Sequence, residues 1–397
     1  MVVKVSKPEI NVREKISELD KPSGTAGQTM LAAETPQEQF NLISAGRRRL
    51  NINGDMRVWQ RGTSFTGLTS GNTYTADRYP WKVTSAGAWT VSREADAPSG
   101  FKYSFKALCT SGDSTPTQLR LYHSIEGQDV HQLAYGTNDA KPISVSFWVK
   151  SNVTGMYTCS LETHVPGRQA SLNFTIDGAG VWEKKELTFQ GDSSSAITNI
   201  NGVGLTISLW FGSSSGLGSG GITDGAWVTD SSYTRLTGGL SVNLGAAANN
   251  YVQFTGIQIE EGKVATPFEH RAIGEELALC QRYFEMIEFE NSMDQNGSTA
   301  VEMLIGNGFA YTGGRTLNHL KFNVQKRTPP VVTINTASYY EVLDSNAGWV
   351  PANLVNTRAN VHGVRIDAYV AGNVLTPGRS LEVRLLPNGK ISIDAET

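Results

Sequence analysis

From Leu50 to about Phe268, apolar and polar residues alternate with a period of two, the pattern of antiparallel strands that bury one face. Phe101, Tyr103, Phe105 and Ala107 fall on one such face; so do Ile143, Val145, Phe147 and Val149, and so do Val203, Leu205, Ile207, Leu209 and Phe211. Turn-forming residues separate the runs: Pro98-Ser99-Gly100, Asp177-Gly178 and the low-complexity stretch from Gly212 to Gly225. Many strands with no interleaved helices predict a sandwich, and a span of about 220 residues predicts a jelly roll. Its last strand is expected over Tyr251 to Glu260, before Pro267 takes the chain out of the sheet.

The period then changes. Leu277, Cys280 and Phe284, spaced three and then four, predict a short amphipathic helix within Gly274 to Met286. Alternation resumes in Leu320, Phe322 and Val324, in Val364, Ile366, Ala368 and Val370, and in Leu381, Val383 and Leu385. Asn388-Gly389 before Ile391-Ser392-Ile393 is a two-residue hairpin signal. Ahead of the sandwich, Val12, Ile16 and Leu19 form the seam of a two-turn helix that Pro22 stops, and Thr35-Pro36-Gln37-Glu38 is a capping box that opens a second short helix carrying Phe40. Helices this short are marginal alone, so this arm is expected to dock on a partner. The predicted class is all-β: a docking arm over 1–48, a jelly-roll sandwich over 49–270, a connecting helix over 271–288 and a smaller C-terminal β domain over 289–397.

Charge narrows the partners. With 34 basic and 37 acidic residues the net charge is −3, which gives no field to recruit nucleic acid or an anionic membrane. No run of 18 apolar residues exists, so no membrane insertion is expected, and the first residues lack the apolar core of a signal peptide. Cys109, Cys159 and Cys280 are too scattered for a disulfide framework or a Cys-x-x-Cys metal site and are expected as buried thiols.

Nothing nominates catalysis. The chain has no nucleophile elbow, phosphate loop or His-Glu-x-x-His, and its six histidines lie in six separate segments. His270 is expected in a structural hydrogen bond. Glu260 and Glu261 are strand neighbours and point to opposite faces, so they cannot flank one glycosidic bond. Asp55, Asp77, Asp96 and Glu260 could offer oxygens to calcium, but no Asp-x-Asp-x-Asp-Gly loop is present, and neither a metal nor a cofactor is assigned. The aromatic residues say more. Trp148 shares the outward face of its strand with Ser146 and Lys150, Trp210 does the same beside Thr206 and Ser208, and Arg120 and Tyr122 alternate with Leu119 and Leu121. Indoles and phenols among hydroxyls and basic groups suit a sugar ring or a subunit contact, and both readings stand for Trp148, Trp210, Tyr122 and Arg120.

Four segments carry a family resemblance: NINGDMRVWQRGTSF (Asn51 to Phe65), ADRYPW (Ala76 to Trp81), FTGIQIEEGKVATPFEHRAIGEELALCQRYF (Phe254 to Phe284) and LKFNVQKRTPPVVT (Leu320 to Thr333). In their order they resemble the β-sandwich structural proteins of tailed-bacteriophage virions, of the tail-fibre or minor structural type, over Asn51 to Lys326. The resemblance implies a non-enzymatic protein made in the host cytoplasm and incorporated into the virion. It implies a homotrimer joined to other virion proteins through residues 1–48, with β domains that contact host-surface polysaccharide. A capsid decoration, head-fibre or collar protein is the alternative, and a polysaccharide depolymerase a more distant one. Deleting residues 1–48 is expected to leave a soluble, folded β protein that no longer joins particles; light scattering and circular dichroism check the first part, and loss of the fold would refute a separate arm.

Overall fold

The computed structural model describes residues 48–164, 167–229, 232–288, 303–335 and 339–396; Val12, Ile16, Leu19 and Phe40 of the expected arm lie outside them. The sandwich strands are β1 (Ser64–Leu68), β2 (Gly71–Ala76), β3 (Tyr79–Thr84), β4 (Ala88–Glu94), β5 (Ser104–Ser111), β6 (Gln118–Glu126), β7 (Ile143–Ser151), β8 (Gly155–His164), β9 (Gly167–Ile176), β10 (Glu183–Phe189), β11 (Val203–Ser213), β12 (Val228–Thr229) and β13 (Tyr251–Glu261). One sheet runs β1-β4-β5-β13-β7-β10 and the other β12-β9-β8-β11-β6-β3-β2. Within them β5-β13-β7-β10 faces β6-β11-β8-β9, and consecutive strands of this set change sheet except at the β8–β9 hairpin. That order is a jelly roll, as the alternation predicted. Phe105, Phe147 and Phe254 from the first sheet meet Trp81, Tyr157 and Phe211 from the second in one core, with the rings of Phe211 and Phe254 centred 5.4 Å apart.

Two local expectations fail for identifiable reasons. Phe101 and Tyr103 do not join the inner face of β5, which begins at Ser104 and buries Phe105, Ala107 and Cys109. A turn holds Phe101 back, closed by its N–H to the Pro98 carbonyl at 3.1 Å with Gly100 at φ 93°. Its ring packs instead on Phe268 at 5.1 Å and His270 at 5.4 Å, so His270 serves an aromatic cluster. Val203 is 43% exposed because the register with β6 shifts between Val203 and Leu205, where Gly204 lies against Gly127 with no room for a side chain.

After the sandwich come helix α1 (Ile273–Gln281) and strands β14 (Phe284–Glu288), β15 (Met303–Thr312), β16 (Arg315–Lys321), β17 (Val331–Ile334), β18 (Tyr340–Asp344), β19 (Gly348–Pro351), β20 (Asn353–Ala359), β21 (Gly363–Tyr369), β22 (Ser380–Leu385) and β23 (Lys390–Asp394). They form a sheet β14-β23-β17 and a second sheet β19-β18-β22-β15-β16-β21-β20 around their own core. Val364, Ile366 and Ala368, like Leu381, Val383 and Leu385, are buried as their alternation requires. The helix ends sooner than expected: Phe284 opens β14, and the buried stripe is Glu276 with Cys280. Asn388 does adopt a turn conformation, at φ 72°, but β22 and β23 belong to different sheets. The turn is a corner between sheets and not a hairpin. All three thiols are buried.

The resembling segments meet in one buried joint. The Asn51 side chain accepts from the Ile259 N–H at 2.9 Å and donates to the Ile257 carbonyl at 2.8 Å and to the Tyr79 hydroxyl at 2.9 Å, completing with side-chain groups the edge of β13 beyond Phe254, where its pairing with β5 stops. Asn53, at φ 56°, bonds Val58 and the Asp77 carbonyl. Glu276, fully buried on α1, pairs with the equally buried Arg49 and accepts from the Asn53 N–H at 2.5 Å. Gln60 reaches the Phe284 carbonyl at 2.7 Å, so the same loop holds β14. Gly54 accepts the Ile257 N–H at 2.9 Å, and a methyl group there would collide with the Ile257 carbonyl oxygen. Gly54→Ala is therefore expected to destabilise the protein by about 1–3 kcal/mol, the cost of overpacking a closed site, read as a lower urea midpoint at unchanged slope.

Candidate functional site

The sheet containing β6, β8 and β11 turns alternate side chains away from the core. On that outer face Arg120, Tyr122 and Ser124 of β6 lie beside Trp210, Ser208 and Thr206 of β11, and Thr158, Ser160 and Glu162 of β8 follow in register. A cleft of about 250 Å³ opens over one end of this face, floored by Tyr122, Ser124, Thr206 and Glu162. Tyr74 of β2 and Arg78 of the β2–β3 turn bound it on one side, and His164 stands exposed at its rim. Tyr283, Arg327 and Glu396, from beyond the sandwich, supply the end wall.

Arg78 organises that wall. It sits at φ 71°, an uncommon backbone for a residue with a side chain, and its guanidinium is almost wholly buried. It pairs with Glu396, donates to the Ser124 carbonyl at 2.6 Å and lies 3.5 Å from the centre of the Tyr283 ring. Burial pulls its pKa down, but Glu396 and neighbouring groups outweigh that and raise it, so Arg78 stays charged. The Tyr283 hydroxyl donates to Glu126 at 2.6 Å, and Arg282 grips the same carboxylate through two bonds of 2.8 Å. Burial pushes Glu126 up, but these hydrogen bonds prevail and hold it below the ordinary carboxylate value of 4.5. Burial also raises the pKa of Tyr74, Tyr122 and Tyr283, which keeps their hydroxyls protonated. Arg120 donates to Glu162 at 2.9 Å and to Ser208 at 3.0 Å.

Of the four residues singled out from the sequence, Arg120 and Tyr122 belong to this cleft. Trp210 is on the expected face but only 1% exposed. Its N–H donates to Ser160 at 2.9 Å, Arg120 covers its ring at 4.7 Å, and the segment between β12 and β13 crosses the same face. It therefore supports Arg120 and offers no ring to a ligand. Trp148 is half-buried on the outer face of the opposite sheet, between Thr255 and Lys184 in register, so it cannot act with Trp210 across the core. Tyr74, Arg78, Glu126, Glu162, Tyr283 and Glu396 were not foreseen. Glu162 and Glu126 were accessible to the period-two rule, since each sits out of phase with the apolar residues of its strand.

Among the described residues no cluster of His, Cys, Asp and Glu could hold a metal ion. The acidic residues considered for calcium are engaged by protein donors: Asp55 by Arg57, Asp77 by Gln60, Asp96 by Lys150 and Trp182, and Glu260 by Thr266. In the described residues no helix is long and apolar enough to cross a membrane.

The fold and cleft define a jelly-roll β-sandwich protein with an aromatic, arginine-carboxylate site on one sheet. No family model matches the chain, and no curated protein matches it. Solved structures do show likeness. The enzymatically active domain of tailspike protein 4 of bacteriophage CBA120 aligns at 10% identity over 49% of this chain and 21% of that one, with a TM-score of 0.29, so this chain spans about a fifth of that protein's length. The CBM22-1 xylan-binding domain of Paenibacillus barcinonensis Xyn10C aligns at 11% identity over 55% of this chain and all of that one, at 0.26. The family 11 carbohydrate-binding module of Clostridium thermocellum Lic26A-Cel5E aligns at 11% identity over 56% and 98%, at 0.25.

Glu126 carries a pH dependence. Because its folded pKa is below the ordinary 4.5, its stabilisation is complete above that value and is lost as pH falls through the folded pKa. Glu126→Gln is expected to unfold about 1–3 kcal/mol more easily at pH 7, with the gap to the parent closing below pH 4.5; urea titrations at several pH values check this.

Proposed function

We propose that this chain is a non-enzymatic glycan-binding protein that uses the cleft on its second sheet. One observation carries the reading: Tyr74 and Tyr122 line the same 250 Å³ space as the Arg120–Glu162 pair, with Ser124 and Thr206 between them. Both phenols are half-buried, with Arg61 over Tyr74 and Arg120 over Tyr122 at 5.0 Å, and offer a sugar their remaining ring surface and hydroxyls, while a guanidinium beside a carboxylate offers paired donors and acceptors to neighbouring hydroxyls. Among the cleft carboxylates Glu126 is committed to the protein. Glu126 spends one oxygen on Arg282 and Tyr283 and the other on Arg282 and Gln128, so neither is directed at a substrate.

The sequence resemblance supports a setting for this binding, a tail fibre of a phage particle, with residues 1–48 as the docking arm and a homotrimeric assembly. Three equal sites would raise a weak single contact by multivalency, on the order of 10²-fold. A decoration protein without receptor contact is the reading that remains if no glycan binds.

The test is a glycan array on the full chain followed by calorimetry on each hit. Tyr122→Ala and Glu162→Gln are expected to weaken binding by about tenfold or more with unchanged circular dichroism, and no reducing ends should be released from the bound polysaccharide. Binding that both variants leave intact would move the site elsewhere, and release of reducing ends would make the protein an enzyme.

A further inference from the structure

We infer that the cleft recognises the end of a glycan, a terminal unit with part of its neighbour, and does not let a polysaccharide chain pass through. The inference rests on the glycan reading above and concerns which part of the polymer the site accepts.

An open sheet face would offer a sugar chain a track along its strands. Here both directions along β6 and β11 are blocked. Toward Ser213 the face is roofed by the segment between β12 and β13. Thr158 of β8 donates to the Gly238 carbonyl at 3.4 Å, Ser213 of β11 bonds Thr237 at 2.9 Å, and the Ser241 N–H reaches the Met156 carbonyl at 3.0 Å. The outward hydroxyls of Thr158, Ser160 and Ser208 are consequently buried, and Trp210 lies under Arg120.

Toward Val203 the block is different in kind. Arg282 and Tyr283 close on Glu126, Arg78 closes on Glu396, and Asn201 and Arg327 exchange side-chain to carbonyl bonds of 3.1 and 2.9 Å. From Arg120 to Glu126 is six residues of strand, about 20 Å end to end before the walls take their share. The 250 Å³ lies below the ~300 Å³ at which small-molecule pockets usually begin and leaves room for about one pyranose ring and part of a second. A chain interior has two continuations and would need two exits along the strands, whereas a terminus needs only the mouth of the cleft, at whose rim His164 is exposed and bonds Thr206 at 3.0 Å.

The experiment uses the full chain and the glycan class that the array identifies, as an oligosaccharide series of one to six units, alongside the same hexasaccharide capped at its non-reducing end and, separately, reduced at the other. Affinity is expected to rise up to about two units and then stay level, and one of the two end modifications should cost at least about tenfold. Affinity that keeps climbing to six units, or a hexasaccharide that tolerates both modifications, overturns the inference while leaving glycan binding intact. If no array glycan or oligosaccharide binds, the glycan reading itself falls and the end-recognition inference falls with it.

Discussion

The approach of Gly54 to the carbonyl of Ile257 is the constraint on which the remaining architecture depends. It lets the loop after Arg49 lie against the last strand closely enough for Asn51 to satisfy backbone groups of β13 beyond Phe254, where its pairing with β5 stops. Once that loop is seated, Asn53 and Gln60 fall where they can hold Glu276 of the helix and the start of β14. The joint is polar and buried, so each of its groups must be met by a specific partner. A hydrophobic joint could slide by an ångström with little loss, but this one cannot. The end wall of the cleft inherits its position from that rigidity.

The buried charges are arranged on the same principle. Arg49 with Glu276, Lys326 with Glu285, Arg78 with Glu396 and Arg168 with Asp192 each place a cation and an anion together out of water. Such pairs add little net stability over apolar packing, but losing one partner strands the other. They therefore specify which surfaces meet. Burial lowers the pKa of Lys326, while Glu285 opposes that shift and helps the lysine remain the cation of its pair.

The fold was largely legible because a jelly roll buries one face of every strand, and Ile143 to Val149 or Leu205 to Phe211 record that directly. It was least legible where one residue interrupts the period. Gly100 holds Phe101 in a turn, and Gly204 slips Val203 to the surface; both glycines are visible in the sequence, but their effect depends on what packs beside them. The cleft was half legible. Arg120 and Tyr122 stand out of phase on an apolar strand, so their face could be read. Arg78, Tyr283 and Glu396 come from three distant stretches that only the tertiary joint assembles. Trp210 shows the opposite limit: its direction followed from alternation, but its burial was decided by a separate segment crossing above it. The Asn388-Gly389 turn formed, and only the sheet membership of its flanking strands revealed it as a corner.

The late position of Glu396 has a consequence for biosynthesis. All thirteen strands of the two sandwich sheets lie at or before Glu261, while Tyr283, Arg327 and Glu396 follow. At ribosomal speeds of about 5–20 residues per second, those further residues take on the order of ten seconds to appear. During that interval a nascent chain can hold a complete sandwich sequence and still lack the finished cleft. The end wall of the cleft stays incomplete until Glu396 itself has been made.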